Sequence, residues 1–588
     1  MNIRVADYIA QFLLEKGCSQ VFSVVGGGAM YLNDAFGNTD GLKCMYTHHE
    51  QAAAIAAEGY AKVKGTPACV CVTTGPGGTN ALTGVLCAYQ DNVPMIIISG
   101  QVRYATTVES TGLSLRQFGE QEYTIIPSVI PMTKYAKMVK DPHDIKYYLE
   151  KAYHIATSGR RGPCWLDIPL DVQGAVIDTD QLNEYQIPDE KTEILNIDRI
   201  TAVMAAAKRP VILAGSAIRS SGSLDLFREL ASKWGAPVIS ATSIVDIFAP
   251  DDDCYYGTFG VFGGRVGNFI VQNADTIVSL GCRLSFKQIG FNYENFAPDA
   301  TKIVVDVDIN ELQKDTTEID IPICADLYDF LNIAEIQSME FSNMDGNWND
   351  YCNRLKEKYP VYQEKFAQSE RVNPYQLMTV INKHSDSKRI SVVGNSVACV
   401  SVLQVGIKEY GQRLFGNVNC GTMGYDLPAA IGAAAASGHE VLCLTGDGSI
   451  QMNIQELQTI VYNKLPVKII IFNNNGYQAI VQTQTNFFKR LSGCNSGSGI
   501  SMPDFRKLAD AYGFPYVKIE YNEDIDKTLN ELFEIDGYAI CEVIQDDKQG
   551  IEPRTKSMQK EDGTLFSPPI DHLFPFLSEE EYQSNQFV

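Results

Sequence analysis

The 588-residue sequence lacks several features that would each have settled its class. No Lys/Arg-rich run balances a formal net charge of −23. That argues against nucleic-acid binding, which needs a basic face to neutralise phosphates. The surplus acid reads as charge that keeps a large assembly soluble. No apolar run reaches the roughly 18–20 residues of a membrane span. The N-terminal "MNIRVADYIAQFLLEKG" carries charges through its apolar part, so it reads as an amphipathic helix and not as a signal peptide. The 15 cysteines include no CxxC pair and sit mostly in apolar runs such as "ACVCVTT". They read as reduced small hydrophobes of a cytoplasmic protein. There is no GxxxxGK[ST] loop, which disfavours a P-loop nucleotidase.

What is present is alternation. The chain is too long for one core, and its length allows about three or four domains. Apolar strand-like runs alternate with helical stretches, which predicts an α/β fold of three doubly wound parallel-sheet domains. The first spans 1–180, with strands in "QVFSVVGG", "CMYTHHE", "ACVCVTTG", "PMIIISG" and "CWLDIPLDV". A polar linker, "DTDQLNEYQIPDEKTE", follows. The second spans 195–340 and the third 370–550, and 551–588 reads as an irregular Pro- and acid-rich tail.

The stretch "CLTGDGSIQMNIQELQTIVYNKLPVKIIIFNNNGY" carries the chemistry. Glycines at the carboxyl end of a parallel strand let a ligand approach the backbone. A following helix, expected to open near Asn453, offers N–H groups to an anion. A carboxylate there would repel a phosphate unless a divalent cation stood between them. Asp447 and Asn474, 27 positions apart, come to one sheet edge through a strand–helix–strand unit, which predicts a metal–diphosphate site.

GDG, about 25 residues, then NN resembles the signature of thiamine-diphosphate enzymes. "HHEQAAAIAAEGYAKVKGTPACVCVTTGPGGTNALTGVLCAYQDNVPMIIISGQ", "GTMGYDLPAAIGAA" and "GDGSIQMNIQELQT" are similar to the acetolactate synthase branch. The resemblance covers nearly the whole chain. It implies an N-terminal pyrimidine-binding, a central and a C-terminal diphosphate-binding domain, with thiamine diphosphate and Mg²⁺ as cofactors. It also implies roles. Glu50 would drive the cofactor's aminopyrimidine tautomer, and Gly421 would accept its 4′-amino hydrogen bond through a carbonyl. Met423 would wedge the cofactor into a V. Asp447, Asn474 and the Gly476 carbonyl would bind the metal, and Gly448 and Ser449 would donate N–H bonds to the diphosphate. Gly394 and Asn395 stand where the family has a diphosphate-binding Gly-Gln-His, with Asn and Ser replacing Gln and His. Gly26 and Gly27 would line the reacting centre, and Gln121 would sit near the thiazolium. The adjacent histidines His48 and His49 are not expected to share a metal, since strand neighbours face opposite ways.

The same resemblance implies decarboxylation of pyruvate, or another small 2-keto acid, and carboligation to a second carbonyl. A 2-keto-acid decarboxylase or a flavin-linked pyruvate oxidase is the alternative. A homodimer or homotetramer follows, because in the resembling family Glu50 and the Asp447 site meet across a subunit interface. Three features depart from a standard synthase. Thr483 stands at the position of an acceptor-pocket Trp, which should leave that site larger and more polar. Glu120 replaces a Phe, and "VVGGGAM" replaces "YPGGA". "RQFGEQE" with the "PRT…DG" tail resembles homologues associated with modified sugars, where the acceptor is a keto-sugar nucleotide. Gly281, Arg283 and Asp326 match positions of an FAD site in the central domain, with a flavin-free domain as the alternative.

Overall fold

The computed structural model describes residues 2–188, 196–559 and 565–587. Part of the expected linker and the Asp-Gly of the tail motif lie outside the described residues. Three six-stranded sheets, parallel throughout, form the fold. The first contains β1 (Gln20–Ser23), β2 (Lys43–Tyr46), β3 (Ala68–Val72), β4 (Met95–Gln101), β5 (Tyr135–Met138) and β6 (Pro163–Pro169). The middle sheet contains β7 (Pro210–Ala214), β8 (Val238–Ser240), β9 (Tyr255–Thr258), β10 (Thr276–Leu280), β11 (Thr301–Asp306) and β12 (Ile321–Cys324). The third contains β13 (Ile390–Val393), β14 (Arg413–Gly416), β15 (Val441–Gly446), β16 (Val467–Asn473), β17 (Tyr516–Ile519) and β18 (Ala539–Ile544).

The first sheet runs β2-β1-β3-β4-β6-β5, and the third runs β14-β13-β15-β16-β18-β17. The two orders are the same, so the outer sheets are built on one plan. The middle sheet runs β9-β8-β7-β10-β11-β12. Its strand order reverses between β7 and β10, the kind of switch point where open α/β sheets bind ligands. Interior strands such as β3, β10 and β16 are buried along their whole length, as helices on both faces require.

Six helices place the site residues: α1 (Glu50–Lys64), α2 (Pro76–Gln90), α3 (Ser396–Val405), α4 (Asp426–Ser437), α5 (Asp447–Ile450) and α6 (Gln478–Phe488). Alanine-rich α1 and α4 join the outer sheets. A Cβ on Gly59 would stand 2.2 Å from the Ala429 carbonyl oxygen, and one on Gly432 would stand 1.8 Å from that of Ala56. The backbones touch, and only glycine fits. Lys62, near the end of α1, lies 2.7 Å from Asp91, 2.8 Å from Glu58 and 3.3 Å from the Tyr425 hydroxyl just before α4. The two helices therefore run in opposed senses across their contact.

Among its described residues the tail is mostly irregular, with a helix at Glu579–Ser584 and a short antiparallel ladder between Met558–Gln559 and Leu565–Phe566. It straps the middle sheet's helices. Phe587 packs 5.3 Å from Trp348 and 5.2 Å from Tyr351, centroid to centroid, and the Asn268 amide donates to the Ile570 carbonyl at 2.7 Å.

Candidate active site

The acid between two glycines opens a helix. β15 ends at Gly446 and α5 begins at Asp447, earlier than the start expected near Asn453. At Asn453 the helical path kinks (φ −137°, ψ 31°), and its side chain donates to the Gly424 carbonyl at 2.7 Å. Asp447 Oδ1 accepts the Gly448 N–H at 2.7 Å, and Oδ2 accepts the N–H groups of Asn474 and Gly476 at 3.0 Å each. The carboxylate thus pins the end of β16 to the start of α5. Burial pushes its pKa up to about 6, although the backbone donors pull the other way.

Asn474 Oδ1 is buried and has no hydrogen-bond partner among the described residues. A buried acceptor left unsatisfied costs free energy unless something fills its place. Beside a carboxylate at a strand end, such an oxygen suits a hard cation that prefers oxygen ligands. Gly476 lies against the chain at Cys494, where a Cβ would stand 2.2 Å from the carbonyl oxygen.

The Gly421–Asp426 loop comes to the same edge. Ser449 Oγ donates to Asp426 Oδ2 at 2.7 Å and accepts the Gly424 N–H at 2.9 Å, so α5 fixes the loop. Burial raises the Asp426 pKa to about 6, against the hydrogen bonds it accepts. Gly394 abuts it, since a Cβ there would stand 2.0 Å from Asp426 Oδ2. Asn395 donates through Nδ2 to the Gly421 carbonyl. Met423 is half-buried beside them. A Cβ on Gly448 would stand 2.2 Å from the Tyr477 ring, so only glycine fits there. Asp447, Asn474, Gly476, Gly448, Ser449, Gly394, Asn395, Gly421 and Met423 therefore gather at one end of the third sheet.

A second group gathers on the first sheet. Glu50 is the first residue of α1, 9 % exposed, and its Oε2 accepts the Asn80 amide at 3.0 Å. A Cβ on Gly26 would stand 2.5 Å from Thr73, and the Gly28 N–H donates to Thr73 Oγ1 at 3.0 Å. Gly27 has open space before it. Gln121 is exposed with φ +58°, and its carbonyl lies 2.1 Å from the place of a Gly75 Cβ. The strand β2 ends at Tyr46, before the histidines. The His49 ring instead caps α1 by accepting the Gln51 N–H, and the His48 N–H donates to Glu456 at 3.0 Å. Among the described residues no cluster of three or more His, Cys, Asp or Glu side chains is placed to hold a metal.

Within the chain these two groups do not meet. Glu50 precedes the Gly59–Ala429 contact on α1, and Met423 precedes it on the α4 side. With the helices opposed, the two lie on the order of 20 Å apart at 1.5 Å per residue. Sequence reasoning gives no role to Thr73, Asn80, Asp426 or Glu456, and Asn453 enters it only as an expected helix start. Only Asp426 carried a signal, as the acid that ends "GTMGYD".

A cavity of about 410 Å³ opens at the middle sheet's switch point, lined among others by Gly281, Arg283, Asp326, Arg160, Arg219 and Arg413. A Cβ on Gly215 would stand 2.0 Å from the Gly281 carbonyl oxygen, which holds β7 and β10 tightly together there. Asp326 caps its helix by accepting the Tyr328 N–H at 2.8 Å. Arginines that could meet phosphates and carboxylates that could meet ribose hydroxyls make the lining fit a nucleotide. Asp246, buried at its rim, lies 2.8 Å from both Arg219 and Arg413. Burial works against its charge, but the two guanidinium groups outweigh it and hold its pKa below the usual carboxylate range.

Three family models match in order. They are the thiamine pyrophosphate enzyme N-terminal TPP binding domain over residues 3–122, its central domain over 197–333, and its C-terminal TPP binding domain over 393–543. The acetolactate synthase large subunit of Lactococcus lactis subsp. lactis (strain IL1403) is 30% identical over 559 residues, covering 93% of each chain. The isozyme 3 large subunit of Escherichia coli (strain K12) is 30% identical over 547 residues, 90% of this chain and 92% of that one. A probable acetolactate synthase large subunit of Methanocaldococcus jannaschii is 32% identical over 553 residues, 90% of this chain and 89% of its own. With the matched domains in the order of the three sheets, the chain belongs to the acetolactate synthase-like, thiamine-pyrophosphate-dependent enzymes.

Proposed function

We propose that the protein decarboxylates pyruvate, or a similar small 2-keto acid, and joins the acyl unit to a keto-sugar nucleotide. The observation that carries the cofactor part is the unsatisfied Asn474 Oδ1 beside the Asp447 carboxylate. Asp447, Asn474 and the Gly476 carbonyl would hold Mg²⁺, and Gly448 and Ser449 would face the diphosphate. The Gly448 N–H is engaged by Asp447 in this state, so its donation requires the carboxylate to turn toward the metal. Thiamine diphosphate, when bound, supplies the electron sink for decarboxylation. The chain's own part is orientation and proton control. Glu50, sequestered at the start of α1 with Asn80 on its Oε2, would hold a proton opposite the pyrimidine nitrogen. Gly421 and Met423 would set the cofactor's conformation, and Gly26, Gly27 and Gln121 would border the reacting carbon.

Because Glu50 and the Asp447 group lie far apart in one chain, two chains are needed to complete a site. The smallest active form is then a homodimer, with a homotetramer as two such pairs. Thr483, exposed on α6 ten residues or fewer from the metal group, supports a wide acceptor entrance. The switch-point cavity, with Gly281, Arg283 and Asp326, would take an FAD that does not react. No helix among the described residues is long and apolar enough to cross a membrane, and all fifteen cysteines are free, which supports a cytoplasmic setting.

The test is an NMR time course with Mg²⁺, thiamine diphosphate and ¹³C-pyruvate, with and without a 4-keto-sugar nucleotide. A labelled branched sugar formed only in the second case is the expected result. Rapid acetolactate from pyruvate alone would overturn the acceptor, and acetaldehyde as sole product would favour a decarboxylase. Bleaching of a bound flavin by pyruvate would favour an oxidase.

A further inference from the structure

Asn395 occupies the N-cap of α3, where Asn side chains ordinarily accept a hydrogen bond from the first turn. Here its side chain makes no capping bond. It reaches across to donate to the Gly421 carbonyl, 26 positions away. The corner that aims it is unusual. The next residue, Ser396, sits at φ +76°, a left-handed conformation that a non-glycine residue adopts at a cost. Gly394 before it is pressed against Asp426, which is itself held by Ser449.

The other side of the loop is tied as well. The Gly421 N–H donates to Asn417 Oδ1 at 3.1 Å, and Asn417 donates to Glu58 of α1 and the Cys87 carbonyl of α2, at 3.3 Å each. Gly421 itself has φ +64°, so its peptide orientation depends on these ties and on no side chain of its own. A carbonyl oxygen carries two lone pairs, and Asn395 takes one of them.

We propose that Asn395 is a positioning residue that fixes the direction of the Gly421 carbonyl, leaving its second lone pair for the cofactor's 4′-amino group, and is not a diphosphate ligand. The inference rests on the proposed role of Gly421. Gln at this position in the family would have a longer reach, whereas Asn is short enough to end on the loop. What it controls is the aminopyrimidine's orientation and tautomer, and not how tightly the diphosphate is held.

The experiment compares the full-length protein with Asn395→Asp, which keeps the shape but loses the donor, and with Asn395→Ser, whose hydroxyl is too short to reach the loop, should the first fail to fold. Three quantities are read. They are amide hydrogen exchange of residues 420–424 without cofactor, the thiamine diphosphate–Mg²⁺ dissociation constant, and C2 proton exchange of bound cofactor without substrate. The expected result is faster loop exchange and about tenfold slower C2 proton exchange, the scale of one lost buried hydrogen bond, with the dissociation constant within about threefold. Unchanged loop exchange would overturn the tie itself. A dissociation constant raised about tenfold with C2 exchange unaltered would make Asn395 a diphosphate ligand and overturn the proposal. If the unmodified protein bound no cofactor, the proposed function would fail, and this inference with it.

Discussion

Mixing two dead variants tests the shared site most directly. Glu50→Gln removes the carboxylate proposed to hold a proton in one half-site, and Asp447→Ala removes the one proposed to bind the metal in the other. In one chain Glu50 lies nine residues before the α1 contact point at Gly59, and Met423 lies six before its partner Ala429. Along opposed helices that makes on the order of 20 Å, beyond what one cofactor bridges between its pyrimidine and its supporting loop. If two chains complete each site, a mixed dimer holds one site with both defects and one with neither. Random re-pairing of equal amounts gives half mixed dimers, each half active, so activity should return to about a quarter of the unmodified value. Each variant alone should remain inactive, while Glu50→Gln still binds cofactor. The assay is product formation after dissociating the mixture in mild denaturant and reassociating it, with separately treated variants as controls. Activity that stays at zero, in a mixture shown by mass spectrometry to contain mixed dimers, would refute the two-chain site.

Other outcomes follow from packing and charge. Gly432→Ala must move its Cβ from 1.8 Å off the Ala56 carbonyl oxygen to ordinary contact. Such overpacking against backbone should cost about 3 kcal/mol, read as a lowered melting temperature, whereas Gly346→Ala, which meets open space, should change little. Asp246→Ala would leave Arg219 and Arg413 facing each other without their carboxylate. A loss of about 3–5 kcal/mol is expected in denaturant unfolding, and a loss below about 1 kcal/mol would contradict the hub role. Asp167 is buried in the first sheet, accepts Ser99 Oγ at 2.6 Å, and has its pKa raised by burial to about 7. A raised acid favours the folded state while protonated, so its contribution is lost as pH rises through about 7. Stability should fall by about 1.4 kcal/mol between about pH 6 and pH 8 on this account, and Asp167→Asn should abolish that slope in thermal unfolding.

Much of the fold was legible in the sequence, and the omissions share a cause. The unread strands β5, β9, β12, β14 and β17 are all sheet edges. β5 reads "YAKM" and β17 "YVKI", each with a lysine and half-exposed residues. An edge strand pairs on one side only, and each of these is a four-residue run broken by a lysine, arginine, glycine or proline, so the cue that marked the central strands is missing. The GDG–NN unit was legible because its geometry is local: one strand, one helix and the next strand fix where Asp447 and Asn474 fall. The helix starts earlier than the sequence suggests: Gly446 is its N-cap without a side-chain cap, so no capping residue marks the start, and the path kinks only later at Asn453. Ties such as Ser449 to Asp426 or His48 to Glu456 join residues that no periodicity connects, and neither could be found without the fold.

The strap across the middle sheet sets an order of events at synthesis. Asn268 and Tyr351 find their partners in Ile570 and Asn585, and Trp348 is covered by Phe587, one residue from the end of the sequence. Domains generally fold as they emerge from the ribosome, N-terminal first. The first sheet has all its strands by Pro169, but the middle one must wait for the whole third sheet to be made before its cover arrives. A ribosome-stalled chain ending before Ile570 would therefore present a finished first domain beside an uncovered second one.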